Sequence, residues 1–162
     1  MIYDTATGRF FAWLTFLAAM VLQLMPIPEM VEQWRPDWLL LVMICWALHR
    51  PHRYGVLTAF VLGVLLDVLL GATLGIRALA FSICIYLVLF YQQRLVNFPR
   101  WQQALVVMVI MIIYHLIVFW VEFILGNAVF DFSLFYPAII GVVFWRWAYW
   151  VIRRIALKYK VN

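Results

Sequence analysis

Six apolar stretches, separated by short clusters of charge, proline or glycine, constrain this chain more than anything else in it. They run over 10–25, 38–48, 54–70, 78–91, 102–125 and 134–152. A helix needs ~20 apolar residues to cross a hydrocarbon core, and several of these stretches are shorter. Yet 69% of the 162 residues are hydrophobic and only 12% charged, and the mean hydropathy is +1.01. Too few charges are present for a soluble domain of this size to cover its apolar surface. The sequence predicts one all-α membrane domain over 1–162, with no soluble catalytic domain attached. The first stretch lacks a polar, small-residue cleavage region and runs into Pro26-Ile27-Pro28, so it reads as a retained span.

The stretch from 54 to 91 decides the number of passes. As one helix it would measure roughly 57 Å, far more than a bilayer is thick. Two passes turning at Gly71-Ala72-Thr73-Leu74-Gly75 fit instead, with glycines supplying the backbone freedom of a tight turn. The basic residues point the same way. With six spans and the N-terminus inside, the cytoplasmic side holds Arg9, Arg50, Arg53, Arg94, Arg100, Arg153, Arg154, Lys158 and Lys160, and the outer side only Arg35 and Arg77. Glu29, Glu32, Asp37 and Asp131 fall in the outer loops. Trp34 and Trp38 then lie at the outer interface, and Tyr91 and Trp101 at the inner one. The expected architecture is a six-transmembrane-helix bundle with both ends in the cytoplasm.

That placement also disposes of the net charge of +5. Basic residues in short loops are topology signals and contacts for membrane lipids, so no nucleic acid is expected as a partner. Cys45 and Cys84 lie inside apolar stretches without a CxxC pattern and read as buried thiols.

Small residues recur every four positions at Gly55, Ala59, Gly63, Asp67, Gly71 and Gly75. Residues four apart share a helix face, so Asp67 shares a groove nearly free of side chains, where another backbone can approach. A carboxylate among Val64, Leu65, Leu66, Val68, Leu69 and Leu70 must face protein. Arg77, just across the glycine turn, is its nearest candidate partner; the alternatives are a partner's helix or a small ligand. The ladder itself is read as partner-binding or as helix-packing within the bundle.

Three more ionisable residues fall within the apolar stretches: His115, Glu122 and Arg146. His115 and Glu122 are seven apart on one helix face, and a polar contact between helices is favoured over a proton path, since no third relay member is evident. Arg146, flanked by Trp145 and Trp147, is expected to snorkel to the inner surface or to stack on an indole. The loop His49-Arg50-Pro51-His52-Arg53 reads as a lipid-facing basic loop, not a metal site. The stretch 151–160 is expected either to anchor the topology or to continue the last span as a short interfacial helix. No phosphate loop, H-E-x-x-H or G-x-S-x-G occurs, and nothing assembles a nucleophile with a base. No cofactor, metal or catalytic residue is expected.

The run from Gly63 to Leu79, with Asp67, Gly71, Gly75 and Arg77 in place, resembles the central motif of the MreD family of rod shape-determining proteins. Arg35-Pro36-Asp37-Trp38 before a leucine run, Trp101-Gln102-Gln103-Ala104-Leu105, and Val118-Phe119-Trp120-Val121-Glu122-Phe123 are similar to that family too. The resemblance implies a component of the bacterial cytoplasmic (inner) membrane that acts with MreC. Through MreC it implies MreB, RodA and the elongation transpeptidase, which build the lateral wall. It also implies a fold similar to the substrate-binding subunits of energy-coupling-factor transporters. Two functions follow as expectations: a non-catalytic membrane adaptor of the rod complex that binds MreC, or a small-molecule- or lipid-binding subunit of transport type. An enzyme acting on a lipid-linked precursor lacks candidate residues.

Overall fold

The computed structural model describes residues 6–26, 28, 34–126 and 132–158. They form α1 (Ala6–Leu24), α2 (Trp38–His49), α3 (Val56–Leu70), α4 (Ile76–Phe90), α5 (Gln92–Asn97), α6 (Arg100–Ile124), a 3₁₀ turn (Phe132–Phe135) and α7 (Tyr136–Lys158). No strand occurs among the described residues. Glu29, Glu32, Asp131 and Lys160 lie outside them.

Each long apolar stretch becomes a helix, with ends shifted by a few residues. α4 starts two residues before the expected boundary because Gly75 sets its entry. α7 continues as one helix to Lys158, well past the expected end of the last span. α5 has no counterpart among the six apolar stretches, since at six residues it is too short to show a period. Gln103 Nε2 donates to Leu95 O at 2.8 Å and ties this short helix to α6.

α2 lies at the centre. Leu39, Leu40, Leu41, Met43, Ile44, Cys45, Trp46 and Ala47 are all fully buried, so neighbours cover the helix on all but the face of Trp38 and Val42. This is the packing expected of a helix that is apolar all round. α1, α4 and α7 pack against it, α6 lies against α4 and α7, and α3 packs chiefly on α4. Trp46 Nε1 donates to Thr15 Oγ1 at 2.9 Å and fixes α1 to the core. Trp38 is half-buried, and its ring meets Phe144 of α7 at 5.0 Å.

α3 shows why this fold needs an apolar solvent. Ala59, Leu62, Gly63, Leu66 and Asp67 are buried at the 3–4 spacing of one helix face. The opposite face exposes Leu57, Phe60, Val61, Leu65 and Val68, which are no less apolar. Water would not tolerate so broad an apolar surface; lipid does. Among the described helices α6, at 25 residues, is the one both long and apolar enough to cross a membrane unaided. α2 measures only about 18 Å at the usual helical rise, so one of its ends lies deep in the bundle.

Candidate functional site

Two of the three buried polar side chains among the described residues, Asp67 and Asp37, lie toward the turn between α3 and α4, while Gln103 is at the other end against Leu95. Asp67 is 0% exposed and performs two tasks at once. Its backbone carbonyl accepts the Ala72 N–H at 3.1 Å, while Gly71 N–H bonds Val68 O at 3.2 Å. With Gly71 left-handed at φ 62°, this is a Schellman closure of α3. Its carboxylate turns to the next helix. Oδ2 accepts from Gly75 N at 2.9 Å and Ala78 N at 3.4 Å, and Oδ1 from Arg77 N at 3.3 Å.

Those are the orphan donors at the start of α4, for which Gly75 has no side chain to offer. A carboxylate there also meets the positive end of the helix dipole. The Arg77 guanidinium adds a contact of 3.4 Å to Oδ1, with its side chain mostly buried. Asp67 is thus an N-cap supplied from the preceding helix, and Arg77 neutralises it.

The ladder divides around this residue. A Cβ on Gly63 would stand 2.4 Å from Ala78 Cα and 2.8 Å from its N, so α3 and α4 touch backbone to backbone there. Ala59 is fully buried on the same side. Gly71 and Gly75 have open space around them but φ of 62° and 97°, so they are there for the turn. Gly55 begins α3 in extended conformation with no crowding closer than 3.9 Å. Of the two readings of the ridge, partner-binding and helix-packing within the bundle, the contact at Gly63 is helix-packing, with α4 at that position.

A second pair lies beside the first. His115 Nε2 is 2.7 Å from Asp37 Oδ2. The approach is close but poorly aligned, and neither atom has a well-directed hydrogen bond. Asp37 Oδ1 also takes Gln23 Nε2 at 3.4 Å, and Gln23 Oε1 accepts the Trp38 N–H at 3.0 Å. The cluster ties α1, α2 and α6 together. Asp37 stands in the connection just before α2, yet it is only 8% exposed, so its carboxylate is turned into the bundle. The short α2 carries its N-terminal residue down into the bundle, to the level of His115. No spacing in the sequence relates residues 37 and 115; the depth of α2 does.

Removing the imidazole should leave the buried Asp37 carboxylate without its nearest polar partner on α6. His115→Leu is expected to destabilise the bundle by about 3 kcal/mol, and His115→Gln by less than half of that because the amide still donates. Thermal unfolding of the two purified variants checks the order. Melting temperatures for both variants equal to that of wild type would show that the contact contributes nothing.

The remaining expected residues do not join the cluster. Glu122 lies two residues from the end of α6, half exposed, with no ion pair among the described residues. It does not pair with His115. Arg146 is exposed on α7, beside Val143, Trp147 and Trp150 around a shallow open depression. It does not stack on an indole: the guanidinium over Trp150 is that of Arg154, at 3.9 Å. His49 Nδ1 bonds Cys45 O at 2.9 Å within its own helix. No group of three metal-ligating side chains occurs among the described residues.

The family profile described as rod shape-determining protein MreD matches residues 4–155. The chain belongs to the MreD family. A rod shape-determining protein MreD of Haemophilus influenzae (strain ATCC 51907 / DSM 11121 / KW20 / Rd) is 34% identical over 147 residues, spanning 91% of this chain and 91% of the relative. No solved structure matches the chain. Membership in the MreD family connects the bundle to rod-shape determination and to the membrane. The buried polar residues of this MreD-family chain hold helix ends together, and the carboxylate of Asp67 is fully occupied in doing so.

Proposed function

We propose that this chain is a non-catalytic adaptor of the rod complex: a single six-span domain over 1–162 in the bacterial inner membrane, both ends cytoplasmic, that binds MreC directly. MreB, RodA and the elongation transpeptidase are then reached through the complex. The family carries the shape-determining role. The observation that favours an adaptor is the outward face of α3, with Leu57 at 78% exposure and Phe60, Leu65 and Val68 beside it. α3 leans chiefly on α4, and much of its circumference is left for another helix. MreC is accordingly assigned to the far side of α3, away from the glycine ladder. Packing of a transmembrane helix onto such a surface relies on shape, since lipid competes equally for apolar contact.

Cysteine cross-linking tests the assignment, because the two native cysteines are fully buried. Single cysteines at Leu57, Leu65 and Val68 should form adducts with cysteines placed along the MreC transmembrane helix. Val143→Cys, on the exposed face of α7, should not. Adducts at 143 and none on α3 would reverse the assignment.

The transport-type reading is the alternative, and a fold like that of energy-coupling-factor substrate subunits would accommodate it. It calls for a polar cavity opening outward near Asp67 and Glu122. The grooves between α4, α5 and α6, between α1, α2 and α7, and between α1 and α3 have almost wholly apolar walls, and none is lined by those acids. Their apolar walls favour the adaptor over a polar-solute binder.

A further inference from the structure

One groove combines an apolar wall with a cation at its mouth. It holds about 350 Å³ and lies between α4 (Leu87), α5 and α6 (Val106, Val109, Ile110 and Ile113). Tyr91 and Arg94 line the same cavity at its α5 end. Arg94 is exposed and has no ion pair among the described residues. Acids are scarce at this end of the molecule. Among the described residues the carboxylates are Asp37, Asp67 and Glu122, and all three lie toward the opposite end of the bundle. Arg50, Arg53, Arg100, Arg153 and Arg154 accompany Arg94, so the field at the groove's mouth is positive.

The dimensions suit a single occupant. From Arg100, at the start of α6, to Ile113 is about 20 Å by helical rise. One leaflet of a ~30 Å hydrocarbon core is about 15 Å deep. An acyl chain running down this wall would keep its headgroup beside Arg94. α5 builds the mouth: it turns off α4 at Tyr91, is held to α6 by Gln103, and carries Arg94 outward while burying Leu95. The guanidinium and the Tyr91 hydroxyl together offer donors to a phosphate oxygen.

We propose that this groove is a binding site for an anionic phospholipid, with Arg94 at the headgroup and Val106, Val109 and Ile113 along one acyl chain. The site is separate from the proposed MreC surface, and its test contains no MreC. The full chain is purified in detergent and titrated with phosphatidylglycerol or with phosphatidylcholine of the same acyl chains, and retained lipid is counted by native mass spectrometry. Wild type should keep phosphatidylglycerol in preference. Arg94→Gln should reduce that preference about fivefold, the value of one cation at a membrane surface. Arg154→Gln, which removes a basic residue outside the groove, should leave it unchanged. Val109→Trp, which fills the apolar wall, should lower retention of both lipids. Equal retention of the two lipids by wild type overturns the proposal, as does an unchanged preference in Arg94→Gln. So does an equal loss in Arg154→Gln, which would reduce the effect to general surface attraction.

Discussion

Asp67→Ala is expected to uncouple α3 from α4 and to destabilise the bundle by about 3–5 kcal/mol, the usual cost of removing one member of a buried ion pair. Three backbone donors at the start of α4 and the Arg77 guanidinium would lose their acceptor together. Helix N–H groups cannot be left bare in an apolar interior, and the charge on Arg77 would have to escape toward the surface. Asp67→Asn keeps one acceptor oxygen and should lose roughly half as much. Arg77→Gln tests the other side. It removes the counter-charge but leaves the three backbone donors in place, so its effect should be smaller than that of Asp67→Ala. Thermal melting of the purified variants gives the order directly. A melting temperature for Asp67→Ala within a degree of wild type would refute the capping role. Reduced shape function in this variant would follow from the broken hairpin and would say nothing about contact with MreC.

The boundaries of the long helices were legible because apolar runs punctuated by Gly, Pro and charge are direct records of where a chain can stay in lipid. The turn at Gly71–Gly75 was legible for the same reason. The proximity of Asp67 to Arg77 followed from local sequence distance alone. What the sequence left open was direction. A ridge of small residues shows that some backbone comes close, and is silent on whether that backbone belongs to the same chain. Here Ala78 fills the position at Gly63. The Asp37–His115 contact is the opposite case, since it depends on how deeply the short α2 is sunk among its neighbours. That depth arises from packing of the whole bundle. The sequence did contain one sign of it: a 12-residue helix too short to span, with an acid directly before it.

The same geometry separates two glycines that look equivalent on paper. At Gly63 an added methyl group meets backbone, Ala78 Cα at 2.4 Å and Ala78 N at 2.8 Å. At Gly141 it meets Met111 Sδ at 2.3 Å and Cε at 2.9 Å, the far end of a flexible side chain. Met can change rotamer at small cost, whereas two helix backbones move apart only together. Gly63→Ala is therefore expected to cost about 3 kcal/mol, at the top of the range for overpacking, and Gly63→Leu to prevent the α3–α4 hairpin from closing. Gly141→Ala should cost less than about 1 kcal/mol. Separation of α3 from α4 also pulls the Asp67 carboxylate away from Gly75, Arg77 and Ala78, so Gly63→Ala and Asp67→Ala act on one contact. Their double variant should fall well short of the summed losses, as coupled neighbours do. Full additivity in thermal melting would mean that the ladder and the cap support the hairpin independently, and the close approach at Gly63 would then not be what brings Asp67 to the start of α4.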